Sequence, residues 1–267
     1  MAAVEARRLR GRVAIVTGGG QGVGLGIARR FAAEGAALLL AQRNAAVGEA
    51  AVAAIRADFG ATAEFMTVDV TDREQVYAMV EKAVSRFGKL DILVNNAGGS
   101  RPMRLEQHSD ADLAWGLDLN LWSSFWGMNA AFPHMKRQKW GRIINLGSLN
   151  GVNAHPYTAQ YNIAKEAVRA LTRTAAVEWA EHGICCNVIC PSAASPAGEE
   201  YMRNNPEMMK AVESQIPFKR MGNAEDDIGP VAAFLAGEDS RFLTGMTFFA
   251  DGGSHMNGVH FRPAVDD

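Results

Sequence analysis

Seven short runs in this chain are apolar along most of their length rather than at every second residue. A strand with one wet face alternates, whereas a strand covered on both faces does not, so this pattern restricts the fold more than any other. The runs are Val13–Thr17, Ala37–Ala41, Ala63–Val68, Ile92–Asn95, Arg142–Leu146, Ile184–Ile189 and Met246–Ala250. Longer segments with helical periodicity separate them: Val23–Glu34, Ala45–Phe59, Arg73–Phe87, Asp110–Met135, Tyr157–Glu181 and Glu225–Ala236. Right-handed crossovers then place helices on both faces of one sheet. The expected architecture is α/β, a doubly wound and mostly parallel seven-stranded sheet inside a three-layer sandwich.

No Pro/Gly/Ser linker, repeat or low-complexity tract divides the 267 residues, so a single domain over 1–267 is expected. Apolar residues at 48% and charged residues at 21% supply an ample core and argue against disorder. The alternation breaks once, at Ser192–Gly222, where Pro196, Gly198, Pro206 and Pro217 interrupt any period. A long irregular segment in a compact domain is usually a lid or binding loop, and 192–222 is expected to cover a substrate. A formal charge of -2 gives no electrostatic case for nucleic acid or an anionic membrane. No apolar run approaches the ~20 residues of a membrane span. Arg7, Arg8, Arg10 and Arg12 read as a solvated face rather than a targeting signal. Cys185, Cys186 and Cys190 share one apolar run without metal-ligand spacing, which suits core thiols in a reducing cytoplasm.

Between the first strand and the first helix stands Thr17-Gly18-Gly19-Gly20-Gln21-Gly22-Val23-Gly24. Glycines let a backbone turn tightly against a pyrophosphate, which then rests on the helix N-terminus. The spacing is TG-x3-G-x-G. At the end of the second strand, where an acidic ribose ligand is expected, the chain reads Leu40-Ala41-Gln42-Arg43-Asn44. A carboxylate would repel a 2′-phosphate and Arg43 would pair with one, so NADP is favoured over NAD. The plainer alternative makes Arg43 a solvated loop residue, with Gln42 bonding the ribose hydroxyls. Val68-Asp69-Val70 offers Asp69 to an adenine amino group, and Asn95-Asn96-Ala97-Gly98-Gly99 is a polar turn suited to backing a ribose. Each alone is more often a helix cap or tight turn. Their place at the carboxyl ends of parallel strands points them into one crevice.

Ser148 follows the fifth run, and Tyr161 and Lys165 lie one turn apart on the helical segment after it. Residues at i and i+4 share a helix face, and an ammonium beside a phenol pulls a pKa near ~10 downward. Tyr161 is thereby a candidate proton donor and acceptor for an alcohol and carbonyl pair. A solvated helix face is the bland alternative for a Tyr and a Lys at this spacing.

Taken together, Thr17-Gly18-x3-Gly22-x-Gly24, Asn95-Asn96-Ala97-Gly98, Asn120, Ser148, Tyr161-x3-Lys165 and Asp251-Gly252-Gly253 resemble the short-chain dehydrogenase/reductase family, in its single-domain branch. The resemblance runs from Gly11 to Gly253. It implies a Rossmann-type fold and hydride transfer between nicotinamide C4 and a carbonyl carbon, with no metal. It implies that Tyr161 exchanges the substrate proton, that Lys165 bonds the nicotinamide ribose, that Ser148 bonds the carbonyl oxygen, and that Asn120 holds a water leading to Lys165. Cofactor contacts are implied at Gly18, Gln21, Gly22, Val23 and Gly24 in the first turn, and at Gln42, Arg43, Asp69 and Val70 around the adenosine. Asn96, Ala97, Gly98, Tyr161, Lys165, Pro191 and Ala194 complete the set. A homotetramer is implied as well, because related enzymes pair the Asn120 and Tyr161 helices between subunits. A sensor or scaffold that binds nucleotide without turnover is the alternative, and it has no need of the Ser148, Tyr161, Lys165 set.

The chain departs from the family pattern at Pro191-Ser192-Ala193-Ala194-Ser195-Pro196, where Ser192 replaces a glycine and Pro196 a hydroxyl residue. Proline has no donor and fixes its own φ, so this loop is expected to leave the strand differently. Met103, His155, Met202, Met208, Met209 and Phe218 lie in segments that the resemblance places around a small-molecule substrate, and adaptable methionines would suit a bulky apolar alcohol or ketone. Trp115, Trp122 and Trp126 read as core or subunit interface rather than as substrate platforms.

Overall fold

The computed structural model describes residues 8–193 and 203–256. Its seven strands are β1 Val13–Thr17, β2 Ala37–Gln42, β3 Ala63–Thr67, β4 Ile92–Asn95, β5 Gly141–Leu146, β6 Ile184–Pro191 and β7 Thr247–Ala250. They pair in the order β3-β2-β1-β4-β5-β6-β7, and every pairing is parallel. The chain therefore winds outward from β1 to β3 and then crosses back to β4. This leaves a crevice at the carboxyl ends of β1 and β4, where the direction of winding reverses.

The apolar runs become strands because both faces are covered. Along β1 and β2 alternate side chains serve opposite layers. Val16, Leu38 and Leu40 pack with Ile27 and Phe31 of α1 (Gly22–Ala33) and Val52 and Ile55 of α2 (Ala45–Phe59). Ile15 and Leu39 face Val76, Met79 and Val80 of α3 (Arg73–Phe87). Asp72 and the left-handed Gly88 cap α3, as Asn44 and Gly60 cap α2, so both helices begin and end where the sequence places them.

The segment expected as one helix over Asp110–Met135 is divided. Helix α4 (Asp110–Leu117) opens with a capping box between Ser109 and Asp112, a wider π turn follows at Asp118–Trp122, and α5 (Ser123–Gln138) continues. The cause is Asn120, whose Nδ2 donates to the Gly116 carbonyl at 2.9 Å and takes the acceptor of its own backbone N–H. The ladder then slips, and the Ser123 N–H reaches back to the Asp118 carbonyl. Beyond β5 come the short α6 (Leu149–Val152) and the long α7 (Ala159–Trp179).

The segment expected to be irregular contains a helix, α8 (Pro206–Gln215), started by a proline at its first position and carrying no buried residue. Proline read as a breaker hid it. Its exit, Ile216-Pro217-Phe218, packs on Gly252 and Gly253, where an added Cβ would lie 3.0 Å from Ile216 Cγ2 and Pro217 Cγ respectively. A π turn at Ala224–Ile228 and α9 (Gly229–Ala236) lead to β7. No helix among the described residues is long and apolar enough to cross a membrane.

Candidate active site

A cleft of about 1190 Å³ runs across the carboxyl ends of the strands. At its floor the Thr17 hydroxyl ties β1 to β4, accepting the N–H groups of Asn96 at 2.9 Å and Ala97 at 3.0 Å. Asn96 Nδ2 answers by donating to the Thr17 carbonyl at 2.8 Å. Gly18 is left-handed (φ +64°), and a Cβ there would meet Asn96 Nδ2 at 2.8 Å. Gly22 is left-handed too (φ +54°), and Gln21 before it is extended with no side-chain cap on α1. The first N–H groups of α1 are thus left for an outside acceptor, which an anionic phosphate satisfies. Gly18, Gln21, Gly22 and Val23 line the cleft. Gly24 does not line it: its Cα faces Gly18 O and Asn96 Nδ2, so it is needed for close packing under the turn rather than for ligand contact.

Gln42, Arg43, Asp69 and Val70 line the outer end of the same cleft, and Asn96, Ala97, Gly98, Tyr161, Lys165 and Pro191 the inner part. Gln42 Oε1 accepts from the Arg43 N–H at 3.1 Å. Asp69 accepts from the Thr71 N–H at 3.0 Å and hydroxyl at 2.7 Å, and those bonds, with a smaller pull from Arg43, hold its carboxyl below the usual range. Ala194, like Ser195, Pro196 and Met202, lies outside the described residues. Of the loop expected to leave β6 differently, only the start is described. Ser192 stays in register, donating to Ala250 O at 3.0 Å and accepting the Gly222 N–H at 2.8 Å.

Ser148 and Tyr161 both line the cleft, with the Ser148 hydroxyl near enough to the phenol to lower its pKa. Lys165 is buried and donates to the Leu146 carbonyl at 2.8 Å. Gly98 lies over it: an added Cβ would stand 3.3 Å from Lys165 Nζ and 2.5 Å from Asn120 Oδ1. Asn120 is fully buried and does not line the cleft. Its amide is consumed by protein, accepting the Gly99 N–H at 3.1 Å and donating to the Gly99 carbonyl at 3.0 Å besides Gly116. Beneath lies a buried chain in which Asn95 Nδ2 donates to Asn145 Oδ1, and Asn145 Nδ2 to the Thr172 hydroxyl, each at 2.8 Å.

The electrostatics differ from the expectation that Lys165 lowers the Tyr161 pKa. Burial pushes the Tyr161 phenol up, and the Ser148 hydroxyl draws it part of the way back. The ammonium faces the Leu146 carbonyl and the Tyr161 ring, 5.5 Å from its centroid, so its pull on the phenol oxygen is small. Burial also lowers Lys165 from 10.5 to about 8.

Among the expected substrate residues that are described, only His155 lines the cleft; Met103, Met208, Met209 and Phe218 do not. Trp115, expected in the core or an interface, is a cleft wall instead, with Arg101, Asn150, Asn153, Val212 and Gln215. These were missed because they sit in segments without a motif. For Trp115 a signal was present, since Ala111, Ala114, Trp115, Asp118 and Leu119 share one helical face.

A family model described as Enoyl-(Acyl carrier protein) reductase matches residues 18–255, which takes in the glycine turn, Ser148, Tyr161 and Lys165. The chain belongs to the short-chain dehydrogenase/reductase family. It is 36% identical over 257 residues to Oxidoreductase UcpA of Escherichia coli (strain K12), covering 93% of this chain and 96% of the relative. To the 12alpha-hydroxysteroid dehydrogenase of Clostridium sp. it is 34% identical, covering 91% and 96%. The crystal structure of Levodione Reductase superposes with a TM-score of 0.89 at 31% identity, covering 93% of this chain and 99% of that one. Membership in this short-chain dehydrogenase/reductase family makes the chain an oxidoreductase of a group that works with NAD(P), and the left-handed glycines and uncapped α1 fit such a dinucleotide.

A lysine whose native pKa is about 8 binds fewer protons than the unfolded chain between pH 8 and 10.5. Its contribution to stability therefore rises with pH across that window and is most unfavourable below it. Cys190, pushed up to about 11 by burial, acts in the opposite sense, so the lysine is isolated by difference. Urea unfolding at pH 8 and pH 10 should show wild type gaining on Lys165→Met; a pH-independent gap would rule out a depressed Lys165.

Proposed function

We propose that this chain is a single-domain NAD(P)-dependent alcohol dehydrogenase or carbonyl reductase acting on a secondary alcohol or ketone. The convergence of Ser148, Tyr161 and Lys165 in the cleft that begins at the uncapped α1 carries this reading. When bound, the nicotinamide supplies or accepts the hydride. Ser148 holds the substrate oxygen as negative charge develops, and Tyr161 gives that oxygen its proton in reduction or removes it in oxidation. The raised Tyr161 pKa keeps the phenol protonated and ready to donate. Lys165 binds the ribose and is aimed by the Leu146 carbonyl. Asn120 fixes Gly99 and the π turn, and so positions the turn beside Lys165 through which a proton relay to solvent would pass. The segment 192–222 is proposed as the lid, with Val212, Gln215 and Ile216 on the cleft side.

NADP is favoured over NAD because the segment that ends β2, Gln42-Arg43-Asn44, carries an exposed arginine and no carboxylate of its own to repel a 2′-phosphate. The three free, buried cysteines suit a reducing cytoplasm. A homotetramer is favoured by apolar side chains left uncovered on α5 and α7 and the turn before them, among them Trp122 (42% exposed), Phe125 (37%) and Ile163 (51%).

Three measurements test this. With NADPH and a ketone panel, Tyr161→Phe should reduce turnover at least ~1000-fold while leaving NADPH affinity nearly intact; an active variant sinks the assignment. Arg43→Ala should weaken NADPH binding tens-fold and NADH binding little; equal losses would remove the case for NADP. Sedimentation equilibrium should give four times the 28.7 kDa chain mass, and a monomer would contradict the interface reading.

A further inference from the structure

The substrate half of the cleft holds a cation that the reaction as described does not use. Arg101 lines the cleft, and its guanidinium lies over the Trp115 ring at 4.0 Å. A guanidinium stacked in this way keeps its N–H edge free and held in one plane, the arrangement that recognises a carboxylate bidentately. Its backbone is fixed as well. The Arg101 carbonyl accepts a hydrogen bond from Gln160 Nε2 at 2.6 Å, and Gln160 is 1% exposed. Gln160 Oε1 is in turn bonded to His108 Nε2 at 2.8 Å, and Gly116, next to Trp115, is packed against the Gln160 side chain. A second stitch runs from the Met103 N–H to the Tyr157 carbonyl at 2.7 Å. Tyr157 holds a left-handed backbone (φ +67°), as does Ala154 (φ +50°), strain that persists only where the surroundings impose it.

Gln160 immediately precedes Tyr161, so the residue that pins Arg101 is the chain neighbour of the proposed proton donor. No carboxylate among the described residues lies within ion-pair distance of the Arg101 guanidinium, although Asp118 lines the same cleft. Asn150, Asn153, His155 and Gln215 add polar groups to this half, between apolar walls that include Leu149, Val212 and Ile216.

We propose that Arg101 is the anchor for an anionic group of the substrate, and that the substrate class is an oxo acid or hydroxy acid, its carboxylate on Arg101 while its carbonyl or alcohol lies at Ser148 and Tyr161. The inference rests on the oxidoreductase reading of the same site. It departs from the expectation of a bulky apolar substrate, because Met103, Met208 and Met209, the described methionines behind that expectation, do not line the cleft.

Two arms test it. In the first, kcat/KM with NAD(P)H is measured for acetoacetate, levulinate and benzoylformate and for the methyl ester of each. Wild type should prefer the acids, Arg101→Gln should lose that preference tens-fold, and Arg101→Lys should restore part of it. A wild-type preference for the esters, or a preference unchanged in Arg101→Gln, overturns the proposal. In the second arm, benzoate and methyl benzoate are titrated calorimetrically into the cofactor-saturated protein. Benzoate alone should bind, tens-fold more weakly to Arg101→Gln, and equal binding to wild type and variant overturns the anchor. If no carbonyl is turned over yet benzoate binding depends on Arg101, the reaction assigned under Proposed function falls and the anion site stands.

Discussion

One hydroxyl, that of Thr17, holds the reversal point of this sheet together. A parallel doubly wound sheet has no hydrogen bond of its own across the gap where β1 and β4 end, because each chain turns away toward a different helix. Thr17 fills that gap by accepting two N–H groups from the β4 turn and donating to the Val94 carbonyl at 3.3 Å. Removing it would strand two buried or half-buried donors, each worth about 1–3 kcal/mol when unmade. Asn96 closes the circuit from the other side, and its amide occupies the space that side chains at Gly18 and Gly24 would take. The glycine requirement is therefore set by packing of protein against protein as much as by approach to a phosphate.

Around that clamp the site is organised by burial rather than by charge attraction. Tyr161 and Lys165 share a helix face, yet what dominates both is the loss of water: the phenol is pushed up and the ammonium down. Each shift favours the neutral form, which lets two titratable groups lie side by side over an apolar sheet without a compensating ion. The Leu146 carbonyl and the Asn120-pinned Gly98-Gly99 turn then fix where the lysine nitrogen sits.

Strand positions were legible in the sequence because continuous burial writes itself into composition; β1, β4, α2 and α3 begin and end at the residues their patterns and caps indicate. The glycine turn and the Ser148, Tyr161, Lys165 set were legible for a related reason, since each depends on local spacing along one turn or one helix. What was not legible depends on contacts distant in sequence. The π turn needs the Asn120 side chain to compete for a carbonyl, which periodicity cannot register. Burial of Lys165 reverses the sign expected from a pair of residues considered alone. Trp115 and Arg101 meet only when the β4 loop folds over α4, and no motif records that meeting.

Helix α8 touches the cleft through Val212 and Gln215 yet contributes nothing to either hydrophobic cluster, being tied to the body through the Ile216–Phe218 exit on the Gly252-Gly253 turn. Its sequence is thus uncoupled from the thermodynamics of the sheet. Substitutions along its length can reshape this wall of the cleft while the folded state keeps its stability, and while Ser148, Tyr161 and Lys165 stay where the sheet holds them. A scaffold with that division of labour can give rise to many selectivities without repeated reinvention of its core.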